Sequence, residues 1–187
     1  VPWWRDQSYY DEPGRGTYER DGGGVLISQA IHTLDLMLSL VGPVKEVQAI
    51  SHTTNFHKME SEDFVAGGMN FENGTIGSLF ATTSSFPGYA ESITLNCEKA
   101  SAQLQSGVLT INWLDGRLEK FGETAGTGGG ADPMAFPYEW HRDLIENFVK
   151  SIKKNSDPSV TGEEALKVHL LIDALIESSQ KGQLVKI

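Results

Sequence analysis

Between Asp21 and Val41, apolar side chains fall at positions 26, 27, 30, 31, 34, 37, 38 and 41. Intervals of three and four predict a helix buried over much of its surface. Gly22, Gly23 and Gly24 open this stretch and Gly42-Pro43 closes it. Glycine suits the left-handed position after a helix, and proline cannot continue one. A shorter period follows. Val44, Val47, Ala49 and Ile50 within 44–55 predict a half-buried strand. Residues 62–86 predict a hairpin, because Asn73-Gly74 lies between two apolar runs. Further strands are expected at 90–96, 102–104, 108–113 and 118–121, with Asp115-Gly116 as a second turn. Short connections of this kind imply antiparallel pairing.

The helical period returns near the end. Trp140, Leu144, Ile145, Phe148, Val149 and Ile152 form one stripe on a helix over 138–154. Thr161-Gly-Glu-Glu164 is a capping box for a last helix, which buries Val168, Leu171, Ile172, Leu175 and Ile176 and ends at Gly182. Residues 184–187 fit a final short strand. One helix, a run of strands and two helices give an α+β fold: a predominantly antiparallel, open-faced sheet with helices packed on one face. The other face is left for water or a partner.

Two segments are less regular. Residues 1–20 are rich in turns and aromatics (Trp3, Trp4, Tyr9, Tyr10, Tyr18), which marks an ordered loop and not a linker. These rings beside Arg5 and Arg15 serve equally to stack on a sugar or base and to pack the loop down. Residues 122–137 hold four glycines and two prolines after Gly122 and little that packs, and are expected to form a mobile surface loop.

Composition narrows the function. The 187 residues, 39% hydrophobic and 21% charged, suit one domain or a piece of a larger protein. No run of 18 apolar residues occurs, so no transmembrane helix is expected. A net charge of −10 disfavours nucleic acid and anionic membranes. The single Cys97 allows no internal disulfide and fits a reducing, cytoplasmic setting. Five scattered histidines, with no His-Glu-x-x-His, give no metal site.

Candidate chemistry concentrates on the first helix. His32 and Asp35 share a face, with Ser28 one turn before the histidine. An imidazole beside a carboxylate is either an acid/base pair or a core histidine held by its neighbour. Two glycine patterns bear on phosphate. Gly126-x-Gly128-x-x-Ala131 matches a dinucleotide fingerprint by letter, but Asp132-Pro133 follows and no helix begins there, so no phosphate site is expected. Gly22–Gly24 does open a helix, whose free amides suit an anion, but no strand precedes it; close approach of a partner segment or ligand is the favoured reason for the glycines.

Asp21-Gly-Gly-Gly-x-Leu-x-x-Gln-x-Ile-His-x-x-Asp35, followed by Gly42-Pro43-Val44, resembles the signature of the second domain of the glucose–fructose oxidoreductase, inositol dehydrogenase and MocA family of NAD(P)-dependent dehydrogenases. Upstream, Trp4-Arg5, Tyr9-Tyr10 and Arg15-Gly-Thr17 are similar to members acting on sugars and nucleotide sugars. The resemblance extends over nearly all 187 residues. It implies an oxidoreductase that moves hydride between a sugar or polyol carbon and NAD or NADP, with His32 as, or assisting, the acid/base. By the same resemblance Tyr10, Arg15, Ser28, Gln29 and Asp35 shape the substrate pocket, Gln29 and His32 face the cofactor, and copies pair through the open sheet face as homo-oligomers. Ser28 stands where many members carry Asp or Asn, so a charged partner for the histidine is absent at that position. The family's Glu-Lys-Pro lysine has no counterpart, since Glu98-Lys99 precedes Ala100 among strands. The chain is thus expected to be the substrate-binding and oligomerisation domain, without the Rossmann domain, inactive alone and without tight cofactor binding. The rival expectation is a non-catalytic carbohydrate-binding or interaction module on the same scaffold.

Overall fold

The structure, a computed structural model, describes residues 1–124 and 138–187. The glycine-rich stretch expected as a mobile loop, with its dinucleotide-like letters, falls mainly outside the described residues.

Two short helices begin the chain, α1 (Gln7–Tyr10) and α2 (Tyr18–Asp21). Asp6 caps α1 by accepting from the Ser8 amide, and Thr17 caps α2 by accepting from the Arg20 amide. Gly22 ends α2 at φ 77°, a left-handed position that costs glycine nothing. After Gly23 and Gly24 the chain enters a π-helical turn, Leu26–Ala30, which runs into α3 (Ile31–Val41). One extra residue per turn in such a segment re-aims the side chains around it, and π-turns recur at functional sites.

The strands form two four-stranded sheets. The first has the order β3 (Ile76–Thr82), β2 (Phe64–Phe71), β1 (Val44–His52), β8 (Val185–Lys186). The second is a meander of β4 (Ser92–Asn96), β5 (Ala100–Gln105), β6 (Val108–Trp113) and β7 (Leu118–Phe121). All named strand pairs are antiparallel. Asn73-Gly74 makes the β2–β3 turn, with Gly74 at φ 86° and the Thr75 amide donating to Asn73 Oδ1. The N-terminal residues add to the β3 edge: the Trp3 amide donates to Thr82 O and the Arg5 amide to Thr83 O.

The core lies between the inner face of the first sheet, α3 and α5 (Gly162–Lys181). Val25, Leu26, Ala30 and Leu34 meet Val47, Val65, Met69 and Ala81 from the sheet and Leu171 and Leu175 from α5. The α+β class holds, and α3 and α5 cover one sheet face as expected.

Two expectations are corrected. The strands divide into two sheets, because β4 starts a separate meander instead of pairing with β3. Helix α4 (Glu139–Lys154) does not bury its stripe: Leu144 is 60% and Phe148 56% exposed. Amphipathicity states that a helix has an apolar face, and not which surface meets it. The helical run 18–41 passes, by length and composition alone, for one long and apolar enough to cross a membrane, a test that the core helix of a soluble protein also passes. Gly22–Gly24 interrupt it, and its core-facing residues pack on the sheet.

Candidate active site

Helix α3 turns two different sides to its surroundings. Ala30, Leu34, Met37 and Val41 face inward or line an open groove of about 620 Å³ between α3, β3 and β4, a groove without a charged side chain. On the opposite side Ser28, His32 and Asp35 are all exposed. The structure therefore brings His32 and Asp35 to one open surface, and not into the core. Among the described residues neither side chain makes a hydrogen bond, so the imidazole and carboxylate do not hold each other.

Beside them lies a polar chain that runs to the N-terminal segment. Ser28 Oγ is 2.6 Å from both Gly24 O and Gln29 Oε1. The Gln29 amide donates to the Tyr9 hydroxyl at 3.3 Å, and Arg15 Nη1 donates to the same oxygen at 3.1 Å. Two donors on the phenol oxygen leave its own proton to be given to a ligand. Arg15 also lies 4.7 Å above the Tyr9 ring, and Arg5 5.4 Å from it. Gln29 is buried, so its carboxamide is held rigidly between Ser28 and Tyr9.

Tyr9, and not the Tyr10 expected from the sequence to shape the pocket, is thus the tyrosine that meets Arg15 and Gln29. Tyr10 is buried and hydrogen-bonded to Thr83 Oγ1 at 2.7 Å, with burial pushing its phenol up to about 12. It braces the segment from below. The other aromatics pack on one another: Trp4 stands edge-on to Phe56 and Phe86, and Tyr10 leans on His57. Packing on one another thus accounts for Trp4 and Tyr10, while Tyr18 stays exposed.

The amides at the start of the α3 region have an occupant that the sequence reading missed. Glu62, at the entrance to β2, accepts from the Gly24 amide and the Leu26 amide, each at 3.1 Å, and its carbonyl accepts from the Val25 amide at 2.8 Å. The anion at this helix entrance is the protein's own carboxylate. Gly24 is required by that approach, since a Cβ there would lie 1.8 Å from Glu62 O. The signal in the sequence was Ser61-Glu62-Asp63, three polar residues directly before an apolar strand.

Burial raises the Glu62 carboxyl above its ordinary value, against the hydrogen bonds from Leu26 and Gly24 that lower it. The native state therefore holds this proton to higher pH than the unfolded chain does. The stability it contributes is complete below the unfolded value and lost as pH rises through the native one. In urea titrations from about pH 4 to 7, the wild type should lose stability relative to Glu62→Gln as pH rises, because the amide does not titrate. A parallel pair of profiles would contradict this.

Among the described residues no cluster of three or more His, Cys, Asp or Glu is placed to hold a metal. For a dinucleotide the fit is divided. The Gly24 and Leu26 amides that would have met a phosphate are taken by Glu62, while His32 is exposed and Gln29 buried beside it.

Over 174 residues the chain is 25% identical to the 1,5-anhydro-D-fructose reductase of Ensifer adhaerens, covering 89% of this chain and 48% of that protein. The WlbA dehydrogenase of Bordetella pertussis, solved in complex with NADH and UDP-GlcNAcA, is 27% identical with a TM-score of 0.75, over 99% of this chain and 51% of that one. Levoglucosan dehydrogenase, solved with NADH and levoglucosan, shares the fold at a TM-score of 0.76 and 20% identity, over 92% of this chain and 53% of that one. The chain thus spans about half the length of these relatives. Residues 1–103, more than half of the chain, match the family model of the GFO/IDH/MocA C-terminal domain. The chain belongs to the GFO/IDH/MocA family, through its C-terminal domain.

Proposed function

We propose that this chain is the substrate-binding and oligomerisation half of an NAD(P)-dependent oxidoreductase that acts on a hydroxyl of a sugar, polyol or nucleotide sugar, in a cytoplasmic setting. The observation that carries this reading is His32 on the open side of α3, next to the Ser28–Gln29–Tyr9–Arg15 chain. The relatives solved with NADH and either UDP-GlcNAcA or levoglucosan support the substrate class. Bound nicotinamide supplies the hydride acceptor or donor. His32 takes the hydroxyl proton as the carbon is oxidised, and returns it in the reverse direction. Tyr9 gives its proton to a neighbouring hydroxyl, and Arg15 holds an anionic or polyhydroxy group of the substrate. Gln29 aligns Tyr9, and Asp35 and Ser28 border the pocket. The dinucleotide's phosphates belong to a nucleotide-binding domain outside these residues.

The experiment is a titration of the 187-residue chain with NADH and NADPH, followed by nicotinamide fluorescence. No binding is expected up to about millimolar cofactor, because the helix-entrance amides are already occupied. Micromolar binding would place the nucleotide site on this chain and overturn the division of labour.

The outer face of the first sheet is the proposed site of self-association. Ile50 and Phe80 flank Ala66 across the strands, exposed by 57% and 45%. Phe64 and Phe80 meet edge-on at 5.4 Å. Gly68, in the row beyond, leaves the sheet flat enough for a second copy to approach. Light scattering is expected to show a dimer or larger species, and Ile50→Lys to shift it to monomer. A monomeric wild type would refute pairing through this face.

A further inference from the structure

Away from the open side of α3, the described residues contain one titratable pair sealed from water, His57 with Asp63, whose side chains are 1% and 0% exposed. We propose that His57 and Asp63 share a proton that keeps both ring nitrogens of His57 engaged, and that this pair is the positioning device for the N-terminal segment bearing Arg5 and Tyr9.

The assignment follows from which atoms can donate. His57 Nε2 lies 2.8 Å from the carbonyl oxygen of Arg5. A carbonyl only accepts, so Nε2 carries a hydrogen. His57 Nδ1 lies 2.6 Å from Asp63 Oδ2. With the ring's one neutral-state hydrogen committed to Nε2, an unprotonated Nδ1 would aim its lone pair at a carboxylate oxygen. A second proton must therefore lie between Nδ1 and Oδ2. Asp63 is otherwise surrounded by donors: its Oδ1 accepts from the Thr54 amide at 2.7 Å and its Oδ2 from Thr54 Oγ1 at 2.6 Å. Thr54 Oγ1 is oriented in turn by accepting from the Phe56 amide. The pair is thus neutral as a unit, the form in which buried ionisable groups are tolerated. Other charged or titratable neighbours are Arg5 and Asp6 from the N-terminal segment, Tyr10 from α1, Lys58, the next residue in the chain, and the buried carboxyl of Glu62 beside Asp63.

What the pair holds is the backbone under the site. Asp63 O accepts from the Thr83 amide, and Thr83 O accepts from the Arg5 amide. Together with the Nε2 bond, this fixes Arg5 from both its amide and its carbonyl. The Arg5 guanidinium lies 5.3 Å from the Trp3 ring and 5.4 Å from the Tyr9 ring. Tyr9 in turn receives Arg15 and Gln29. Removing the shared proton leaves one nitrogen facing an acceptor with nothing to give. The Arg5 carbonyl is then released, and with it the register of Tyr9 against Arg15 and Gln29. The positioning role rests on the proposed function; the proton count does not.

The first measurement is a long-range ¹H–¹⁵N spectrum of the labelled chain at about pH 7.5, where an unperturbed imidazole is mostly neutral. The His57 resonance is expected to show hydrogen at Nε2 and a strongly downfield proton shared with Asp63 at Nδ1. A neutral His57 with a single N–H and a bare Nδ1 overturns the proposal. Asp63→Asn supplies a control, because its amide donates to Nδ1 and a neutral, Nε2-protonated ring still reaches Arg5. In that variant the downfield proton should vanish while the Nε2–H remains. In the complete enzyme, His57→Gln is expected to raise the sugar KM about tenfold with kcat within about threefold, and Asp63→Asn to leave both within about threefold. A loss in kcat with KM unchanged would overturn the positioning role. If His57→Gln fails to fold, the spectra of the wild type and Asp63→Asn still decide the proton count. If the complete protein proves not to oxidise sugars, the functional reading fails and those same spectra still decide the pair.

Discussion

His32→Asn in the complete enzyme should lower kcat by about 10²–10⁴, the usual contribution of a positioned general acid/base. Its effect on folding should be negligible. The imidazole is exposed and, among the described residues, makes no hydrogen bond. Removing it deletes no core contact and strands no buried partner, and exposed positions of this kind change stability by about 0.5 kcal/mol or less. The thermal midpoint should therefore stay within about 2 °C of the wild type. That combination separates chemistry from structure, which a buried histidine could not do. Steady-state kinetics with the sugar substrate make the check. A kcat reduced less than tenfold would move the acid/base role to another group, with Tyr9 next in line because, among the described residues, nothing accepts its hydroxyl proton.

The second large effect is on stability. Gly24→Ala should destabilise the chain by about 3 kcal/mol, the upper part of the range for overpacking. The new methyl would sit 1.8 Å from Glu62 O and 2.7 Å from Glu62 C. The carbonyl is backbone at the mouth of β2 and cannot rotate away as a flexible side chain would. Either the helix entrance or the strand must shift, and each shift loosens the bonds from Gly24, Val25 and Leu26 to Glu62. For a chain of this size the expected fall in Tm is about 6–12 °C. Gly22 is the informative comparison, since its φ is 77° but nothing lies within 4 Å of a Cβ built there. Gly22→Asn, which tolerates that backbone, should cost no more than about 1 kcal/mol. Equal losses at both positions would mean that backbone freedom, and not the crossing, explains the glycines.

What the sequence disclosed, and what it withheld, follow the range of the interactions involved. The Asn73-Gly74 turn and the Thr161 cap are written in neighbouring residues and stand where the pattern placed them, whereas of the helix read into 21–41 only Ile31–Val41 is α-helical, after a π-turn at Leu26–Ala30 that the apolar spacing did not foretell. The identity of the tyrosine in the site was not local. Tyr9 and Tyr10 are adjacent, and only the short helix after Asp6 decides which ring turns toward Gln29 and which toward Thr83. Glu62 lies 38 residues from Gly24, and Asp63 meets His57 across a loop, so no period or spacing announces either partnership. The division into two sheets was equally hidden, because strand propensity does not say where one sheet ends. His32, by contrast, was legible because a polar residue inside an apolar period stands out, although its exposure was not.

The occupied helix entrance has a consequence for competition in solution. An anion that is part of the chain cannot be diluted away; its effective concentration beside those amides stays fixed at the level set by the fold. Sulfate or phosphate added to the buffer, which binds and stabilises many open helix starts, has no vacancy to enter at Gly24 and Leu26. A run of three glycines before a helix, commonly taken as an invitation to phosphate, is here the imprint left by a tethered guest that never leaves.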